Sequence, residues 1–385
     1  MRSTSNSLTI TRSFIRPHRI YSSIISNTTL TPPTTTSISL TASVIQTIVE
    51  QPSDIYDSSI TKPFALVCLF IGSVGNSLSF IVFTQKQLRR YSTFRYLAYL
   101  SIIDLIVLYL GLGNIILRDY FLFDIRVQNL FLCKFHTFFT YVTTQLSSWI
   151  LTIVSIDRAI ACTVIQLNKR ICRPKSADQI FFGMCIIACL MNSHILLFMG
   201  SKRTLNHLSI ENTSLKQTII VCTHNTSSTY FKFFEKPYNI IDLLSYVLIP
   251  FIIMTICASI IAYRLFFSFS HTTMHIAIKG KTRNGTRRAK QISYMLLILN
   301  LVFVILLTPV VLGQIFQELN QEHRYRLYNS ITLLMSYSNH ALNFVLYGIA
   351  SPQFRLTLRQ LLGLGNTEVL QRRLQTYGYY TSTGF

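Results

Sequence analysis

Apolar residues in this chain fall into seven long runs, near 63–84, 95–117, 131–161, 178–199, 239–267, 288–316 and 327–349. Each approaches or exceeds the roughly 20 apolar residues a helix needs to cross a bilayer core of about 30 Å. Backbone polar groups in lipid must be satisfied within the segment, so the runs are expected to be helices. No period-two alternation runs through them, which argues against membrane strands. Pro63 opens the first run, and Pro250 and Pro309 fall inside the fifth and sixth. Proline breaks a soluble helix, but within a bundle neighbouring groups rescue the freed carbonyl, so kinks are expected. After the last run, residues 351–362 place Phe354, Leu358, Leu361 and Leu362 at helical spacing, with Arg355 and Arg359 opposite. That is the pattern of a helix lying in the membrane interface. The pattern predicts an all-α membrane protein, a seven-transmembrane helix bundle with a short amphipathic eighth helix. It divides the chain into an arm (1–62), the bundle (63–349), and the amphipathic helix with its tail (350–385).

Composition supports the membrane reading: half the residues are apolar and 13% are charged. Orientation follows from the basic residues. With the amino terminus outside, 20 of the 35 Lys and Arg lie on the inner side, including Arg89, Arg90, Arg170, Arg173, Arg287, Arg288 and Arg355. Lys and Arg near the membrane mark the cytoplasmic face. The net charge of +21 then forms a collar facing anionic membrane lipid, and no nucleic-acid partner is expected. The arm is rich in Ser and Thr and is expected to be disordered. It has no apolar stretch after a basic start, so no cleaved signal peptide is expected, and the first helix would serve as anchor. Asn27, Asn212 and Asn225 each head a glycosylation sequon on the outer side.

Of the eight cysteines, Cys68, Cys185, Cys189 and Cys257 sit within apolar runs as small core residues. Cys162 and Cys172 face the cytoplasm and should be reduced. Cys133 and Cys222 remain, both outside; a bridge would pin the long loop over the bundle mouth, and two free thiols are the alternative.

Asp157-Arg158 closes the third run. A charge pair at the mouth of a membrane helix is costly next to lipid and is usually functional. The plainer reading of Arg158 is an arginine snorkelling to the interface.

Taken together, the chain resembles the rhodopsin-like, class A G-protein-coupled receptors over roughly residues 60 to 362. Asn76 in GNSLSF and Asp104 in LSIID match the family's helix-one asparagine and helix-two aspartate. Cys133 stands at the family's spacing before Arg158, and Asp157-Arg158-Ala159 resembles DRY with alanine for tyrosine. Pro250, Pro309 and Phe303 match the prolines and the aromatic of helices five and six. Asn343 to Tyr347, NFVLY, resembles NPxxY with phenylalanine for proline. The stretch around it is similar to neuropeptide receptors of the FMRFamide and thyrotropin-releasing-hormone-like group. Departures fall on the activation relay: Leu307 replaces the toggle tryptophan, Ala258 the helix-five tyrosine, and Ser148 a bulky aliphatic.

The resemblance implies a plasma-membrane receptor for an extracellular ligand, a peptide by local similarity. Its partners would be a heterotrimeric G protein, with arrestin and a receptor kinase as further candidates. Asp157, Arg158, Asn343 and Tyr347 would form the coupling switch. Thr140, Tyr141, Thr144 and Gln145 from helix three, with Asp242, Gln314 and Tyr337, would line the pocket. Thr140 stands where amine receptors carry aspartate and Tyr337 where opsins carry the retinal lysine, which disfavours amines and light. Asp242 is the candidate anchor for a basic ligand group, or else a carboxylate stabilising the amino end of helix five. Acids in the outer loops, Glu211, Glu235, Glu318 and Glu322, could steer a cationic peptide or simply be solvated.

An acid inside a membrane helix needs a partner. For Asp104 the resemblance implies a sodium ion held with Asn76, Ser147, Asn339 and Asn343; a protonated Asp104 in a water network is the alternative. No other cofactor is expected. The foot of helix six, RNGTRRAKQIS, has no acid to restrain Arg158, which predicts raised basal signalling. No nucleophile–base pair, metal cluster or phosphate loop suggests an enzyme. The other readings are an atypical, non-signalling receptor partner and a seven-helix transporter or channel.

Overall fold

The computed structural model describes residues 57–163, 171–208, 214–222, 229–264, 280–315 and 322–364. The arm up to residue 56 and the tail from 365 lie outside the described residues.

Seven membrane crossings and a short eighth helix follow the hydrophobic pattern. Helix α1 spans Ser58–Phe83, starting ahead of Pro63 because Asp57 caps it. The Asp57 side chain accepts from the Ser59 amide at 3.0 Å, and its own amide donates to Ser330 Oγ at 2.6 Å. Helix α2 spans Ser92–Phe121, α3 Leu130–Thr163, α4 Pro174–Phe198 and α5 Asn239–Tyr263. Helix α6 spans Gly280–Ile315. Helix α7 has two halves, Glu322–Ala341 and Asn343–Ala350, and α8 spans Pro352–Leu361. Among the described residues six helices are long and apolar enough by themselves to cross a membrane. The seventh crossing is interrupted at Leu342, where φ −85° and ψ −9° break the regular helix.

Two helices carry wide π turns that the apolar pattern does not show. One is Tyr109–Gly113 in α2 and another is Leu244–Leu248 in α5, just before Pro250; a third, Phe234–Tyr238, leads directly into α5. Such turns re-aim the side chains around them and are frequent at functional sites. The loop between α4 and α5 also departs from the all-α expectation. It forms an antiparallel hairpin, β1 Ser201–Leu208 with β2 Ser214–Val221. A disulfide between Cys133 and Cys222, with Cα atoms 5.5 Å apart, ties the end of β2 to the start of α3. The other six cysteines are free thiols.

Helix α3 runs through the core, with buried residues along its length from Cys133 to Ala159. Helix α4 is peripheral, and its Phe182 and Leu190 are more than 60% exposed. In water such a surface would be a liability; in a bilayer it is the lipid contact. At the Asp157 end, Phe83, Tyr347 and Phe354 pack together, with the Tyr347 ring edge-on to Phe83 at 5.0 Å. This joins α1, α7 and α8. Phe354 is fully buried, whereas Leu361 and Leu362 are exposed. Arg355 donates to the carbonyls of Gly348 and Ile349 at 2.8 and 2.7 Å, satisfying the end of α7.

A candidate ligand pocket joined to a buried polar core

At the disulfide end the helices enclose a cleft with about 970 Å³ of free space, counted with its open mouth. Of the seven residues expected to line it, Thr140, Thr144, Asp242 and Tyr337 do so. Gly111, in the π turn of α2, lies against the Tyr337 ring, so closely that a Cβ there would strike the phenol. Glycine at that position lets Tyr337 lie against α2.

Tyr141 and Gln145 are buried behind the wall. Tyr141 packs against Phe234 and Tyr238. Gln145 Nε2 donates to Asp242 Oδ1 at 2.9 Å and to Ser245 Oγ at 3.3 Å. Its Oε1 accepts from Asn192 Nδ2 at 2.9 Å, and Asn192 Oδ1 accepts from the Tyr238 hydroxyl at 2.5 Å. Gln145 therefore positions Asp242 rather than contacting a ligand. Among the described residues no Lys or Arg pairs with Asp242. Nor does Asp242 stand at a free helix start, since helical turns run back to Thr229. The dipole explanation for this carboxylate loses its basis. The side chains of Gln314, Glu235 and Glu322 lie outside the described residues, as do Glu211, Glu318, Asn27, Asn212 and Asn225.

Residues that the sequence did not single out also face the cleft: Arg118, Arg126, His136 and His340. The two arginines are internally paired, Arg118 with Asp119 at 2.5 Å and Arg126 with Asp124 at 2.7 Å. Burial alone would raise the Asp124 carboxyl, but the Arg126 guanidinium and amide hold it down to about 2. These cations are therefore largely neutralised at the mouth.

His340 links the floor of the cleft to the polar core. Its Nδ1 lies 2.7 Å from Asp104 Oδ1 and 3.2 Å from Ser147 Oγ. Ser147 Oγ donates to the same carboxylate oxygen at 2.7 Å, and Asn343 Nδ2 donates to Asp104 Oδ2 at 2.7 Å. Asn76 Nδ2 turns instead to the His340 carbonyl at 2.9 Å. Asn339 is buried next to His340 in the chain. Asp104 and His340 are 0% and 2% exposed, so a lost partner here has no water to replace it. The signal for His340 was present in the sequence: it stands three residues before Asn343, on the same helix face.

At the opposite end, Asp157 is the acceptor for three side chains. Ser92 Oγ reaches both carboxylate oxygens at 2.8 and 3.0 Å, and Thr93 Oγ1 reaches Oδ2 at 2.9 Å. Arg158 Nη2 and Nε reach the same Oδ2 at 2.6 and 3.1 Å. Ser92 and Thr93 open α2, so the start of that helix is clipped to the end of α3. The Cys172 thiol donates to the Asp157 carbonyl at 3.5 Å; burial and the nearby carboxylate push it up to about 12. Nearby, Arg95 and Tyr99 of α2 hold Asp178 of α4 at 2.7 and 2.6 Å. Helix α6 is tied to α3 one turn inward, by the reciprocal Ser155–Asn300 pair at 2.9 and 3.1 Å.

Tyr347, expected in the switch, is fully buried beside this end, and its hydroxyl has no hydrogen-bond partner among the described residues. Asn343 belongs to the Asp104 cluster instead. Phe344, where the family has proline, is accommodated by Gly75; a Cβ there would stand 2.8 Å from that of Phe344.

The comparisons agree with this architecture. Human thyrotropin-releasing hormone receptor is 25% identical over 330 residues, covering 78% of this chain and 77% of its own length. The chicken (Gallus gallus) thyrotropin-releasing hormone receptor is 24% identical over 329 residues, covering 78% of each chain. Human CX3C chemokine receptor 1 is 25% identical over 311 residues, with 78% and 77% covered. The profile of the 7 transmembrane receptor (rhodopsin family) matches residues 75–347. The chain is thus a multi-pass membrane protein and a member of the rhodopsin family of seven-transmembrane receptors, a family of signalling receptors and not of enzymes.

Proposed function

We propose that this receptor binds an extracellular peptide with a basic group and activates a heterotrimeric G protein by opening the bundle around Arg158. The amino terminus and the disulfide end face outward at the plasma membrane, and the basic inner loops face the cytoplasm. The observation that carries the reading is Asp242: a half-buried carboxylate at the cleft wall, fixed by Gln145, with no Lys or Arg pairing among the described residues. A half-buried carboxylate held in place at a cleft wall but without a counter-charge is complementary to a ligand cation. Two of the relatives are receptors for thyrotropin-releasing hormone and one for a chemokine, which favours a peptide over a lipid or an amine.

From the floor of the cleft, His340 and Asp104 connect α7 to α2 and α3, and α3 ends at Asp157 and Arg158. A ligand that shifts α7 or α5 changes the support of α3. Arg158 then leaves Asp157 and presents its guanidinium to the G protein near Tyr347. Arrestin and a receptor kinase would act on the same inner face after activation.

The test is a neuropeptide library applied to cells that display the receptor with a promiscuous G protein. A basic peptide should evoke a saturable response that Asp242→Asn weakens at equal surface display. Responses only to lipids or odorants would sink the peptide assignment.

A further inference from the structure

The Asp104 cluster contains a residue that does not suit the ion expected there. A hard cation such as sodium is held by oxygen atoms that point lone pairs at it. Here the carboxylate is approached by three donors: the Ser147 hydroxyl and the His340 ring on Oδ1, and the Asn343 amide on Oδ2. The His340 contact at 2.7 Å places a ring nitrogen, not an oxygen, against the carboxylate. A nitrogen that hydrogen-bonds a carboxylate carries its hydrogen inward, so it offers an incoming cation the positive end of a dipole. Asn76 donates its amide nitrogen to the His340 carbonyl and thereby fixes the backbone that carries the ring, while its Oδ1 has no hydrogen-bond partner among the described residues.

We propose that His340 occupies the place of the sodium ion, so that this receptor is insensitive to sodium and uses its own side chain to join the cleft to Asp104. Three observations support this independently of which ligand binds. The ring is buried and bonded to both Asp104 and Ser147, so it bridges α7 to α2 and α3 as a shared ion would. It also borders the cleft, which a buried ion does not. A ligand can therefore press on the bridge itself, with no ion to release. Ser147 and Asn343 also contact Asp104, and the buried Asn76 Oδ1 has no hydrogen-bond partner among the described residues, so removing the ring would leave oxygen atoms to receive a cation.

The test uses the full-length receptor in detergent or nanodiscs, with sodium itself as the probe. Thermal midpoints are compared in sodium chloride and choline chloride at equal ionic strength. The wild type should show the same midpoint in both. His340→Ser, which supplies a hydroxyl oxygen and opens space, should gain a sodium-specific rise of about 3 °C, the size expected for a ligand well above its dissociation constant. Adding Asp104→Asn to His340→Ser should remove that rise. A sodium-specific rise in the wild type, abolished by Asp104→Asn alone, would overturn the proposal. So would a folded His340→Ser protein with no sodium response, since the ring would then not be what excludes the ion. Sodium NMR line broadening by the wild-type receptor keeps the proposal testable even if the serine variant does not fold. No broadening beyond the Asp104→Asn control is expected, and broadening that this control lacks would overturn the proposal.

Discussion

Two buried carboxylates in this receptor are partnered differently. Asp104 draws its donors from α3 and from both halves of α7, so it knots three crossings together. Among the described residues the Asp157 carboxylate draws its closest donors from the start of α2 and from its own neighbour Arg158, with the Cys172 thiol on its backbone carbonyl. The first cluster resists separation of helices; the second holds an arginine in place without tying α5, α6 or α7 to it. At that end the described side chains tie α6 to α3 at two places, the Ser155–Asn300 pair one turn inward of Arg158 and Cys162 with Ser293 at 3.5 Å one turn beyond it. The middle of the bundle is therefore stiff where the Arg158 end is locally latched. A protein built this way can move α6 outward while the core keeps its register.

The sharpest way to break this contrast is to remove the knot. Asp104→Leu leaves the Ser147, His340 and Asn343 donors buried without an acceptor, at about 1–3 kcal/mol for each such group. Together these should lower stability by about 3 kcal/mol or more, seen as a large drop in the detergent thermal midpoint and in surface display. Asp157→Ala should cost less, because its donors come from one other crossing rather than two and the Arg158 side chain, 12% exposed, can turn to water. Its main effect should be on signalling. Losing about 1.4 kcal/mol of preference for the resting state raises the active population about tenfold, read as ligand-free second-messenger output. If the two variants had equal thermal midpoints and equal basal output, the distinction between knot and latch would fail.

Asp242→Asn keeps the bond to Gln145 but removes the charge. The response to a basic peptide should shift about tenfold to higher concentration, the scale of one charge-assisted hydrogen bond, with display unchanged. The smallest effect concerns the outer loop. Asp124 is held at about 2, below its ordinary value, by Arg126. A depressed carboxyl stabilises the fold above its unfolded pKa, and that contribution is lost as pH falls through the folded one. The thermal midpoint should thus be flat around neutrality and fall only below about pH 4; Asp124→Asn should lower the neutral plateau slightly and remove this acid-side slope.

Much of the fold is legible in the apolar runs, because backbone satisfaction in lipid leaves a long apolar segment little choice but helix. The ends of the crossings are less so. Helix α1 begins ahead of Pro63 because Asp57 and Ser330 cap it, a contact across 273 residues. The π turns at Tyr109–Gly113 and Leu244–Leu248 leave no mark in hydropathy, since they change the turn and not the composition. The hairpin at Ser201–Val221 lies outside the membrane pattern and depends on the disulfide at its end.

In the site, residue-by-residue matching located Asp104, Ser147, Asn343, Asp157 and Arg158. It placed Gln145 and Tyr141 in the pocket although both support it from behind. It overlooked His340, because a search for oxygen ligands around an expected ion passes over an imidazole. Helical spacing from Asn343 would have found it.

The central claim is that this bundle activates a G protein through Arg158, latched among the described residues by Asp157. The most direct measurement is nucleotide exchange on a purified heterotrimeric G protein by the full-length receptor in nanodiscs, without ligand and beside an Arg158→Ala variant of equal stability. The account predicts exchange above the receptor-free rate, raised further by Asp157→Ala and abolished by Arg158→Ala. Exchange indistinguishable from empty nanodiscs for wild type and Asp157→Ala alike, or exchange that survives Arg158→Ala, would contradict it.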